Sequence, residues 1–123
     1  MTLNAEQMSA LVKAALLVSS ADGDINKAEY ELISEELRCF RVTAEQASVF
    51  YQAAKAMPID DMADLLKSLG MKEQLKISGF LAAVIVKDEI IGCEEKDVWE
   101  AICTLCEFPV VSIEDSLEYW RNH

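Results

Sequence analysis

The feature that most constrains this chain is an acidic turn, Asp22-Gly23-Asp24, set between two stretches of helical periodicity. Upstream, Met8, Leu11, Val12, Ala15 and Val18 recur on one helical face, with Leu16 and Leu17 widening it. Downstream, Asn26-x-x-Glu29 is a capping box: the Asn side chain accepts a first-turn amide and the Glu reaches back to the Asn amide. The helix that follows is expected to turn Tyr30, Ile33, Leu37 and Phe40 inward, and Glu31, Glu35 and Glu36 outward. A degenerate copy of the whole pattern returns 66 positions later. With Asp22 set on Asp88, Val18 meets Val84, Ile25 meets Ile91, Glu29 meets Glu95, Leu32 meets Val98 and Ile33 meets Trp99. In each copy the Ile of the turn can plug the space between the helices, and the Glu lies in the first helical turn, where a carboxylate complements the helix dipole. The expectation is an all-α, pseudo-symmetric single domain of about seven helices spanning residues 1–123. It is built around apolar helices at 5–20 and 73–86, with Ile25 and Ile91 buried.

The remaining punctuation agrees with helices. Asn4-x-x-Gln7 and Thr43-x-x-Gln46 are two further capping boxes, the second opening a helix with Ala47, Phe50, Ala54 and Met57 on one face. Pro58 ends that helix, because it lacks an amide proton and disfavours helical geometry at Met57. Asp60 or Asp61 is expected to cap a short helix carrying Met62, Leu65, Leu66 and Leu69, with Gly70 terminating it. The stretch Ile77 to Val86 is apolar almost all round, which marks a central helix. A helix with Val98, Trp99, Ile102, Leu105 and Cys106 inward runs to Pro109. Ser112-x-x-Asp115 caps a last one that buries Ile113, Leu117 and Trp120. Four glycines and two prolines in 123 residues are too few for a turn-rich β fold, and a 52% apolar fraction supplies a core.

The net charge is −11 and the sequence pI about 4.4, so the surface repels phosphate backbones and anionic membranes; no nucleic-acid partner is expected. The N-terminus lacks a basic leader, and the longest uncharged apolar run, residues 79–86, is far short of the ~20 residues that span a bilayer. A cytoplasmic protein without membrane insertion is expected. Catalysis is not: the single His is His123, and there is no nucleophile elbow, P-loop or dinucleotide fingerprint. Cys103-Thr-Leu-Cys106 is a C-x-x-C inside a helical pattern, where thiols pack as small apolar groups. A zinc or redox site would need Cys93 beside Cys103 and Cys106, with only the remote His123 to complete it.

The string Ala21-Asp22-Gly23-Asp24-Ile25-Asn26-x-x-Glu29, flanked by helices, resembles the TerB (tellurite resistance) family over nearly the whole chain, from about Leu11 to Trp120. The second copy departs from the motif, with Glu89 for the Gly and Ile90 for the second acid. The resemblance implies an all-helical bundle with a repeated acidic hairpin, and a role in tellurite resistance and stress responses as a non-catalytic interaction module.

The turn itself suggests a second class of function. Asp22, Asp24 and Asn26 fall at positions 1, 3 and 5 of an EF-hand loop, but Lys27 and Ile33 stand where that loop needs Gly and Glu, so an ordinary EF-hand is excluded. A looser oxygen site built from Asp22, Asp24 and Glu29 remains, suited to weak calcium or magnesium binding and confined to the first copy because Ile90 removes a ligand from the second. Lys27 and the free amides at the Asn26 helix start can instead compensate the turn. Protein partners, including a second copy in a homodimer, are expected through Tyr51, Met71, Tyr119 and Trp120.

Overall fold

The computed structural model describes residues 3–19, 26–87, 93–109 and 112–122, and for residues 87 and 93–95 the backbone alone. Among the described residues the chain forms seven α-helices, one short 3-10 helix and no strand. The helices are α1 (Ala5–Ser19), α2 (Lys27–Leu37), α3 (Ala44–Ala56), α4 (Ile59–Lys67), α5 (Met71–Lys87), α6 (Cys93–Leu105) and α7 (Ile113–Asn122), with the 3-10 turn Arg38–Phe40 after α2. Ile25 and Ile91, expected to be buried in the two hairpin turns, lie outside the described residues.

Three helices start as their sequence dictates. The Asn4 side chain accepts the Gln7 amide at 2.8 Å and Gln7 accepts the Asn4 amide at 3.0 Å. Asn26 and Glu29 form the same reciprocal pair at 2.8 and 3.2 Å, and Thr43 and Gln46 at 3.2 and 3.0 Å. Each cap satisfies amides that have no partner within the helix and stabilises it by roughly 1 kcal/mol. At α7, the Asp115 amide donates to Ser112 Oγ at 3.1 Å, as expected.

The start of α4 differs from expectation. Neither Asp60 nor Asp61 caps it; Pro58 does, in extended conformation, its carbonyl accepting from the Met62 amide. Pro58 thereby both stops α3, with Met57 held at ψ 126, and opens α4, leaving the two Asp in the first turn where the dipole favours them. Gly70 also plays another part. The α4 helix closes at Ser68, and the Gly70 carbonyl accepts the Gln74 amide at 3.0 Å, so Gly70 begins α5. At the end of α4 the buried Gln74 side chain adds two further bonds, its Nε2 donating to the carbonyls of Leu66 and Lys67.

Helices α1 and α5 are central and pack on each other. Every residue from Ile77 to Ile85 is buried. The second helix of each hairpin leans on the other hairpin's first: α2 packs on α5, and α6 on α1. Beyond the hairpins, α3 lies on α1 and α7 on α5. The 66-residue offset thus relates three helices to three, with α4 added mainly against α1.

The helix ends repeat too. Arg41 and Glu107, 66 positions apart, both adopt left-handed backbone, with φ 62 and 55. Around Arg41, its amide bonds to the Arg38 carbonyl and the Val42 amide to that of Leu37. Around Glu107, the partners are Thr104, and Cys103 for the Phe108 amide. These are two Schellman caps, each closed by a buried apolar residue, Val42 or Phe108. A left-handed non-glycine residue costs about 1–2 kcal/mol, partly offset by the flexibility glycine brings to the unfolded chain. Arg41→Gly is therefore expected to stabilise the protein by roughly 0.5–1 kcal/mol, read as a higher urea midpoint at unchanged slope.

Two side chains lie on the opposite side from expectation. Glu36 is only 6% exposed, because it shares the inner stripe with Ile33 and Leu37; its counterpart in the second half is Ile102. Leu105 is 46% exposed, and the inner stripe of α6 instead runs Trp99, Ile102, Cys103, Cys106 at strict helical spacing.

Candidate functional site: the first hairpin and its flank

Of the three residues proposed as oxygen ligands, Glu29 is placed. It is the third residue of α2, half-buried, and its Oε1 accepts the Asn26 amide. That bond folds the carboxylate back along the helix start onto the Asn26 amide. Asp22 and Asp24 lie outside the described residues. Among the described residues, no three His, Cys, Asp or Glu side chains gather closely enough to hold a metal ion.

The thiols divide by exposure. Cys39 is exposed, while Cys103 and Cys106 are buried beside the core. Burial pushes the Cys103 thiol up to about 12, with Cys106 and Glu100 adding to it, and burial lifts Cys106 to about 11. Both therefore remain protonated at neutral pH and are poor nucleophiles and poor metal ligands there. The Cys93 side chain and His123 lie outside the described side chains.

Because the folded state holds these protons more tightly than the unfolded one, the associated stability is complete below the ordinary thiol value of 9.0. It is lost as pH rises from there toward 11–12. The melting temperature is expected to fall over that range, and less steeply in Cys103→Ala with Cys106→Ala. At pH 8, among these three thiols, Cys39 should react first with a disulfide reagent, located by mass spectrometry of the labelled peptides.

The outer flank of α2 holds a feature with no sequence signature, a half-open groove of about 330 Å³ between α2 and the start of α3. Tyr30, Ser34 and Val42 line it with Glu31, Glu35 and Arg38. Tyr30, expected inward, is half-buried here, its ring edge-on to Tyr51 at 5.0 Å, with the Lys55 ammonium 5.5 Å from the centre of the Tyr51 ring. The i, i+4 ladders Tyr30–Ser34–Arg38 and Glu31–Glu35 were visible in the sequence. The wall carrying Val42 was not, since the left-handed turn at Arg41 brings it there.

The surface candidates for self-association behave differently from one another. Met71 is 65% exposed, whereas Tyr51 and Tyr119 are half-covered. Trp120 stacks on Phe40 at 5.7 Å and meets Phe80 edge-on at 5.9 Å, so it belongs largely to the core. Among the described residues no helix is long and apolar enough to cross a membrane.

Among the described residues, seven α-helices define an all-α fold with an internal repeat. The crystal structure of a protein of unknown function from Porphyromonas gingivalis W83 superposes with a TM-score of 0.84, at 22% identity, over 99% of this chain and 92% of that one. At that identity the likeness establishes the fold. No family model matches the chain, and no curated protein matches it.

Proposed function

We propose that this chain is a non-catalytic, TerB-like interaction module serving a cytoplasmic tellurite-resistance or stress-response assembly, and that it acts through its surfaces, including contact with a second copy of itself. The observation that carries the reading is the formed Asn26–Glu29 capping box. Residues that bear the family resemblance are engaged in starting a helix, and the same hairpin architecture recurs 66 positions on. Motif residues that build a frame suit a module whose work is done by the surfaces the frame displays. Light scattering at micromolar concentration is expected to show species heavier than the 13.7 kDa monomer; a 13.7 kDa species alone would remove the self-association from this proposal.

One observation favours a second reading. The capping box turns the Glu29 carboxylate back to the Asn26 amide at the head of α2, the end of the helix that Asp22 and Asp24 precede in the sequence. On that reading the turn binds calcium or magnesium weakly, with a dissociation constant on the order of 10⁻⁴–10⁻³ M. Calorimetric titration with calcium, magnesium and zinc separates the two: saturable heat from calcium or magnesium supports a cation site, and its absence supports the module.

A further inference from the structure

We infer that the groove between α2 and the start of α3 is a docking site for a basic segment of a partner protein, one that presents an Arg or Lys next to an apolar residue. This rests on the interaction-module reading and names the chemistry of one partner surface. The groove has two kinds of wall. Tyr30 and Val42 offer apolar area for the stem of a long side chain, while the exposed Glu31, one helical turn from Glu35, presents a carboxylate to its head. Its volume of about 330 Å³ suits one or two side chains rather than a folded domain.

Charge decides the sign of the occupant. Glu31 and Glu35 outnumber Arg38 within the groove, and the whole chain carries −11, so an acidic segment is repelled at a distance and a basic one is drawn in. Ser34, in the same wall, supplies a hydroxyl oxygen that can accept a further guanidinium hydrogen bond. Arg38 marks one end of the groove as unfavourable to a second cation, which gives the site a direction along α2.

The test is nuclear magnetic resonance titration of the full chain with two capped hexapeptides, one alternating Arg and Leu, the other alternating Glu and Leu. The Arg peptide is expected to shift the amides of Tyr30, Ser34 and Val42 most, and the Glu peptide none. Glu31→Lys with Glu35→Lys is expected to weaken binding at least about tenfold, while the same charge change on α7, Glu114→Lys with Glu118→Lys, weakens it by less than about threefold. Equal weakening by the two pairs, shifts scattered over the acidic helices, or no binding at millimolar peptide would each overturn the proposal. The shift map of the native protein decides the matter even if a charge-reversed variant fails to fold. Failure here leaves the light-scattering result, and with it the module reading, untouched.

Discussion

Trp99→Ala is expected to lower the unfolding free energy by about 3–5 kcal/mol, the range for deleting a large buried aromatic side chain. Trp99 is 2% exposed, and its Nε1 donates to the Ser78 carbonyl at 3.2 Å, which pins α6 to the centre of α5. Its counterpart in the first half, Ile33, is 3% exposed but has no polar atom to pin with. Two contributions can therefore be separated. Trp99→Phe keeps most of the apolar area and loses the hydrogen bond, at an expected cost of about 1–2 kcal/mol. Urea denaturation followed by circular dichroism measures both. A loss below about 1 kcal/mol for Trp99→Ala would contradict the placement of this ring in the core.

Gly79→Ala carries the second large effect, and its sign is decided by competing magnitudes. In an open helix the change would stabilise by about 1 kcal/mol. At Gly79, however, the new methyl would sit 2.6 Å from the Ser116 carbonyl oxygen and 2.6 Å from Trp120 Cβ. The first of those atoms is backbone, so it cannot give way unless α7 moves. Overpacking of this kind costs roughly 1–3 kcal/mol, and separating α7 from α5 also loosens Trp120 from Phe40 and Phe80. A net loss of about 2 kcal/mol is expected, with a red shift of tryptophan fluorescence as Trp120 becomes wetter.

The same glycine explains an asymmetry in the fold. The α1 helix carries Lys13 at the equivalent position and is covered by both α3 and α4, whereas α5 has α7, drawn close at Gly79. Ser116 Oγ is buried at that contact with no hydrogen-bond partner among the described residues.

What could be read from the sequence was local. The three reciprocal caps at Asn4, Asn26 and Thr43 involve residues three apart, so composition and geometry coincide, and each formed. The central place of α5 was legible because no face of Ile77–Ile85 is polar enough to meet water. Errors arose where position on the helix outweighed residue type: Glu36 is carried inward by its stripe-mates Ile33 and Leu37, and Leu105 outward by the stripe of Cys103 and Cys106. The two Schellman caps left no trace, since Arg41 and Glu107 occupy the place where glycine is the usual signal. The flanking groove was hidden for the same reason, because the Arg41 turn creates one of its walls. Of the proposed ligand set only Glu29 lies among the described residues, and its engagement with Asn26 was already implied by the spacing.

The proposal that bears most on function is that the acidic motif is a fold signature and not a cation site. Thermal melting tests it most directly, on the native protein and on Asp22→Asn with Asp24→Asn, with and without 10 mM calcium chloride (about thirty times a weak-site dissociation constant) at matched ionic strength. With ionic strength matched, screening of a chain whose net charge is −11 is the same in every arm, and calcium is expected to shift neither protein more than the other. A weak site would add about 2 kcal/mol to the native protein alone, and a calcium-dependent rise of several degrees that the double variant lacks would contradict the account.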